Sequence, residues 1–189
     1  MDTTTIPEHL TSAPDAGDPE REDLLQTLAQ QRFFLTVTVR GLDDEQARLR
    51  TTVSRLHLAG LLRHVTLTEA QWTDFCVRGS AVFDDQPWAQ PGGLDDGDPD
   101  AERPDFAVGE ETLESLLADY AQVATRTEEV VRSLPGLDVT HRLPVTPWWP
   151  AGGEWSARRV LLHVIAETAQ HCGHADIVRE SLDGQQTMG

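Results

Sequence analysis

Four segments with the hydrophobic spacing of amphipathic helices constrain the fold of this 189-residue chain more than any other feature. The first segment has Asp18 as a candidate N-cap and Pro19 at its first helical position, and it stops at Gly41. The second lies near residues 55 to 78, where leucine, valine and aromatic side chains recur at near-helical intervals before Gly79. Both patterns predict helices that bury one face.

The third and fourth segments carry equally clear boundary residues. Thr112 is a candidate N-cap of the third segment, and the dipeptide Pro135-Gly136 ends it. Ser156 is a candidate N-cap of the fourth segment, and Gly184 follows its last turn. Because no segment alternates like a β-strand with comparable strength, the sequence predicts an all-α fold, a four-helix bundle.

The stretch from residue 80 to residue 109 has no such periodicity and is rich in Asp, Pro and Gly. It predicts a long acidic loop between the second and third helices, with no helix of its own. Residues 1–19 are expected to form a flexible acidic lead-in, residues 20–184 a single four-helix-bundle domain, and residues 185–189 a tail.

Composition excludes several classes of partner. All fifteen basic residues are arginine, and thirty-two acidic residues outnumber them to give a net charge of −17, which repels nucleic acid and anionic lipid. No apolar run is long enough to span a membrane, and the N-terminus lacks the basic and apolar regions of a secretory signal. Cys76 and Cys172 form no CxxC motif, so we expect a cytoplasmic protein in a reducing compartment. The sequence leaves open whether the chain forms a homodimer.

The fourth segment also concentrates chemistry on one face. His163, Glu167, His171 and His174 project at about 0°, 40°, 80° and 20° around a helix that turns by about 100° per residue. Apolar valines interleave with them, so this face is expected to point into the bundle. Burying four titratable groups together is costly unless a bound group organises them.

A divalent metal ion is such a group. Glu167 and His171 lie four residues apart and can bind one ion together, and the donors suit zinc, with nickel or iron as alternatives. The second helix offers His64 or His57 as a third ligand, with His64 lying deeper in the helix. Each remaining histidine alone also fits a hydrogen-bonded core residue, and Cys172 points away from His171 as a small core residue.

The stretch SARRVLLHVIAETAQHCGHADIVRESLDG, together with LHLAGLLRHVTLTEAQW, resembles the DinB-like superfamily of four-helix-bundle metalloproteins. It is most similar to the actinobacterial branch related to mycothiol-dependent maleylpyruvate isomerase and the mycothiol and bacillithiol S-transferases. The resemblance runs from about residue 20 to residue 184, and HxGHADI is its most specific part. It implies one metal ligand from the second helix, His64, and two from the fourth, Glu167 and His171. The isomerase has a further C-terminal domain, so isomerisation is not expected of a chain that ends at Gly189.

The resemblance implies a metal-dependent S-transferase that joins mycothiol, or a similar small thiol, to a small electrophile. His163 and His174 are then expected to orient ligands or carry a proton. The acidic loop and the Trp148-Trp149 pair are candidates for walls around the substrate. The alternative is a non-catalytic metal-binding protein of the same superfamily, a stress or sensor protein in which the ion only joins two helices.

Overall fold

The computed structural model describes residues 18–86, 104–146, 149 and 151–187. Within these ranges the chain forms four long helices, one short α-helix, one 3₁₀ turn and one small sheet. The long helices are α1 (Pro19–Thr38), α3 (Leu58–Arg78), α4 (Leu113–Ser133) and α5 (Ala157–Asp183), and the short helix α2 spans Asp44–Ala47. The all-α fold predicted from the four periodic segments is confirmed.

The predicted helix boundaries follow from local side-chain capping. Asp18, Thr112 and Ser156 each accept a hydrogen bond from the backbone N–H three residues later, at the start of α1, α4 and α5. Gly184 ends α5 with a φ of 81°, a left-handed conformation that glycine adopts without steric cost. The start of α3 differs from the expected residue 55, because His57 caps it and the helix begins at Leu58.

The long helices pack as a ring of four neighbours. α1 contacts α5 and α4, and α3 contacts α4 and α5, so α1 lies diagonally across from α3. The largest apolar side chains that are fully buried come from this interior and the turns beside it: Phe75, Phe83, Leu28, Leu35, Leu58, Leu61 and Leu62. In this arrangement the inward face of α3 lies opposite the inward face of α5.

The short helix α2, a 3₁₀ turn and two strands were not predicted. A 3₁₀ turn at Gly79–Phe83 follows α3 directly, so the expectation that the stretch from residue 80 to residue 109 has no helix of its own is wrong at its first residues. Antiparallel strands β1 (Thr140–Arg142) and β2 (Glu154–Ser156) pair with His141 opposite Trp155. Most of the acidic loop lies outside the described residues, and so does Trp148.

A buried polar network joins three helices in the core. Glu69 of α3 has no exposed surface, and Arg32 of α1 donates to both of its carboxylate oxygens, at 3.1 and 2.5 Å. The Thr127 hydroxyl of α4 donates to the same carboxylate at 2.7 Å and lies 3.0 Å from the Thr73 hydroxyl. We call Arg32, Glu69, Thr73 and Thr127 the Glu69 network.

Candidate metal centre

Three side chains that can ligate a metal converge between α3 and α5. His64, Glu167 and His171 each offer a donor atom, and these atoms all lie within 4.8 Å of one another. His64 comes from the second turn of α3, whereas Glu167 and His171 are one helical turn apart on α5. We call these three residues the candidate metal centre.

Local sequence explains why the three donors meet. The i, i+4 spacing puts Glu167 and His171 on one face of α5, with His171 Nε2 3.6 Å from Glu167 Oε2. The imidazoles of His64 and His171 approach edge to face, with ring centroids 4.7 Å apart. Between the helices lies a narrow cavity lined by the three donors and by Val65, Thr68, Glu69, Val164 and Thr168.

The donor set fits a divalent ion. Two imidazoles and a carboxylate are ordinary ligands for zinc and for other first-row metals. The Nδ1 atom of His64 is buried without a hydrogen-bond partner, which is costly for a polar atom in a core. The two imidazoles and the half-buried Glu167 carboxylate together make the site suited to a cation.

The electrostatics of α5 favour a charged Glu167 and a neutral His163. The pKa of the Glu167 carboxyl lies below its usual range, chiefly because of His171 and in spite of partial burial. The pKa of His163 is lowered, first by burial and then by the charge of Arg159, while Glu167 opposes the change. One turn of helix thus presents a neutral imidazole beside an anionic carboxylate.

The structure separates the remaining histidines by surroundings. His174 Nδ1 lies 3.4 Å from His171 Nδ1, so it contacts a donor residue on the side away from Glu167. The His163 ring lies edge-on to Trp72 and Trp155, with centroid distances of 4.9 and 5.1 Å. Neither residue belongs to the set of mutually close donors.

His57, which the sequence offered as an alternative to His64 as the third ligand, caps α3 instead. Its Nδ1 accepts a hydrogen bond from the Gly60 backbone N–H at 3.1 Å, which caps α3. Cys172 is a partly buried residue, as expected, and its thiol donates to the Gln31 carbonyl at 3.2 Å. Burial raises the pKa of the Cys172 thiol to about 11.

Sequence reasoning missed two neighbours of His64. Phe106 stacks on the His64 ring at a centroid distance of 4.1 Å, and Asp105 Oδ2 lies 3.0 Å from His64 Nδ1. Although that distance suits a hydrogen bond, His64 Nδ1 has no aligned partner in this structure. Both residues lie in the acidic, aperiodic stretch, which also contains Phe83 and Trp88, so an aromatic residue there did not single out Phe106.

Of the Trp148-Trp149 pair, only Trp149 is among the described residues. Trp149 packs edge-on against Trp72 and Trp155, with centroid distances of 5.8 and 6.0 Å. Trp72 in turn contacts His163. One member of the predicted wall therefore joins an aromatic cluster that reaches the histidine-bearing face of α5.

Comparisons with known proteins support the fold. A crystal structure of a conserved protein from Enterococcus faecalis matches with a TM-score of 0.62 and 14% identity, over 87% of this chain and 97% of that one. At that identity the similarity concerns the fold alone. No curated protein matches the chain. Among the helices in the described ranges, none is both long and apolar enough to cross a membrane.

The family is shown by the sequence itself. The model of the mycothiol S-transferase family, which is DinB-like, matches residues 23–184. That range contains the four long helices and all three residues of the candidate metal centre. The chain therefore belongs to the mycothiol S-transferase family.

Proposed function

We propose that this protein is a metal-dependent S-transferase that joins a low-molecular-weight thiol of the mycothiol type to a small electrophile. The observation that carries the proposal is the convergence of His64, Glu167 and His171, whose donor atoms lie within 4.8 Å of one another, in a chain of this family. The proposed ion is zinc, held by these three residues. Three protein ligands are typical of catalytic zinc sites, which keep a position open for substrate.

A divalent ion bound there would supply Lewis acidity that lowers the pKa of a thiol. Glu167 would reduce the net positive charge of the site, so that the sulfur keeps enough electron density to attack carbon. His174, in contact with His171 Nδ1, would orient that ligand. In the reaction the thiol loses its proton, an electron pair of the sulfur forms a bond to the electrophilic carbon, and the bond from that carbon to its leaving group breaks, with the leaving group taking the electron pair.

His163 is the proposed acceptor of a proton near the site. Its pKa lies below the usual value because of burial, so its ring is neutral and can accept a proton at physiological pH. Glu167, one turn away, would stabilise the protonated ring. The aromatic cluster of Trp72, Trp149 and Trp155 would form the apolar wall on this side.

We also propose a single domain over residues 20–184 and a cytoplasmic location. The family match over residues 23–184 supports the domain range. Cys76 and Cys172 are both free thiols, which suits a reducing compartment.

Cobalt substitution tests the proposed function. Cobalt-loaded protein should gain a sulfur-to-metal charge-transfer band when a small thiol is added, and metal-loaded protein should accelerate conjugation of that thiol to a reactive electrophile. His171→Ala should abolish both effects, whereas His57→Asn, which changes a histidine outside the centre, should retain them. Fully loaded wild-type protein that shows no spectral change with several small thiols would favour a non-catalytic metal protein.

A further inference from the structure

Residues 104–111, which precede α4, lie across α3 beside the candidate metal centre. Besides its stacking on His64, at an interplanar angle of 10°, Phe106 contacts the His171 ring edge-on at a centroid distance of 5.8 Å. Asp105 adds a carboxylate oxygen 3.0 Å from His64 Nδ1. One short segment therefore contacts two of the three proposed ligands.

Two arginines fix this segment to the bundle. Arg63 donates to the carbonyls of Pro104 and Asp105, at 3.0 and 3.3 Å. Arg48 donates to the carbonyls of Val108 and Glu111, at 3.0 and 2.6 Å. The segment is thus held at both ends by charged donors, which are stronger than neutral ones.

Gly60 permits the close approach in the middle. A Cβ atom at this position would lie 2.6 Å from the Phe106 carbonyl oxygen, closer than real contacts allow. Gly60 belongs to the first turn of α3, one turn before His64. The missing side chain lets the segment rest directly on the helix that carries the ligand.

The chemistry of imidazole gives these contacts a purpose. A neutral histidine can bind a metal through only one ring nitrogen, and the proton must then sit on the other. A carboxylate beside Nδ1 favours the proton there and leaves Nε2 free as the donor. Asp105 is not among the mutually close donors, so its position suits the support of His64 better than ligation.

We infer that Asp105 and Phe106 are positioning residues for His64: Asp105 keeps the proton on Nδ1, and Phe106 fixes the plane of the ring. This inference rests on the metal centre of the proposed function. It assigns a role to a segment outside the four long helices. Partners of this kind commonly change metal affinity by about 10- to 100-fold when removed.

The test compares Asp105→Asn with Glu110→Gln in the full chain. Both changes remove one negative charge from the same segment, but Glu110 is exposed. Zinc affinity, measured by chelator competition, should fall about 10- to 100-fold in Asp105→Asn and stay within about twofold in Glu110→Gln. Equal affinities in Asp105→Asn and wild type would overturn the inference.

Two further measurements separate positioning from other roles. At saturating cobalt, Asp105→Asn should keep the d–d absorption bands of the wild type, since a loss of coordination number would make Asp105 a ligand and overturn the inference. In metal-free protein, long-range ¹H–¹⁵N spectra should place the His64 proton on Nδ1 in the wild type and shift it toward Nε2 in Asp105→Asn. A wild-type proton on Nε2 would refute the role of Asp105 even if no metal binds.

A third variant moves the segment without changing its side chains. Gly60→Ala puts a methyl group against the Phe106 carbonyl and should weaken zinc binding in the same direction as Asp105→Asn. Unchanged zinc affinity in Gly60→Ala, together with an unchanged His64 tautomer, would contradict the role of the segment. If wild-type protein binds zinc but shows no thiol response, the proposed function fails. The zinc affinities and the His64 tautomer of the variants still test the positioning role in that case.

Discussion

Two glutamates line the same narrow cavity between α3 and α5 and have opposite surroundings. Glu69 is fully buried and both of its oxygens accept hydrogen bonds, from Arg32 and Thr127. Glu167 keeps 30% of its side chain exposed, and the His171 ring nitrogen Nε2 lies 3.6 Å from its Oε2. The Glu69 carboxylate, with hydrogen bonds to both oxygens, stabilises the fold. The Glu167 carboxylate still has oxygen lone pairs without a hydrogen bond, so it is available to a ligand.

The same contrast extends to the histidines of α3. His57 is satisfied, because its Nδ1 accepts the Gly60 N–H and caps the helix. His64, two turns later, has a buried Nδ1 without a hydrogen bond. Within α3, the hydrogen bond made by Nδ1 therefore distinguishes the capping histidine from the proposed metal ligand.

The largest expected effect comes from breaking the Glu69 network. Arg32→Met should destabilise the protein by about 3–5 kcal/mol, because it leaves the Glu69 carboxylate buried without its cationic partner. Denaturant unfolding of metal-free protein measures this loss. Arg126→Met, which removes the exposed pair with Asp74, should cost less than about 1 kcal/mol. Similar losses in both variants would contradict the structural role of the network.

Metal removal tests the other side of the comparison. Zinc at a hundredfold excess over its Kd should add about 2.7 kcal/mol to the free energy of unfolding, and chelation should remove that gain. Melting curves with zinc and with chelator measure the effect. His171→Ala should abolish the zinc-dependent gain, whereas Arg126→Met should keep it. A zinc-dependent gain that survives in His171→Ala would show that the stabilising ion binds elsewhere.

The two histidines of α3 should respond differently to truncation. His57→Ala should cost about 1 kcal/mol by removing the N-cap while zinc affinity stays near that of the wild type. His57→Asn should recover much of the loss, because asparagine is a good capping residue. Zinc titrations followed by unfolding experiments measure both quantities. Loss of zinc from His57→Asn, with the fold intact, would return His57 to the list of ligands.

The smallest effect concerns pH. Burial holds the folded-state pKa of His163 below its unfolded value of about 6.5, so the unfolded chain takes up this proton first on acidification. The stability of metal-free protein should therefore be complete above about pH 6.5 and decline as the pH falls toward the folded-state pKa. His163→Phe should flatten this decline while preserving aromatic packing. An equally steep decline in that variant would assign the pH dependence to other groups, such as Glu167.

Local signals made the helices and the candidate metal centre predictable from sequence. Asp18, Thr112 and Ser156 cap helices through contacts only three residues long, and Glu167 and His171 meet through helical periodicity alone. These features depend on spacing, which the sequence displays directly. The position of His64 opposite them required the family resemblance in addition.

Long-range pairings could not be predicted in the same way. Arg32 and Glu69 are separated by 37 residues, and charged residues on a helix ordinarily indicate a solvent-exposed position. Asp105 and Phe106 lie in a stretch without periodicity, so nothing in their spacing indicated that they reach α3. The strands β1 and β2 contain three residues each, too few for an alternating pattern.

The Glu69 network also restricts the freedom of α3 as a rigid body. Because Glu69 is bound by α1 through Arg32 and by α4 through Thr127, α3 cannot rotate about its axis or slide along it without breaking a charged hydrogen bond. His64 lies on the same helix, so its direction is fixed by a contact that it does not make. Transfer of the three metal donors to another bundle would therefore also require an anchor that sets the angle and height of the helix carrying His64.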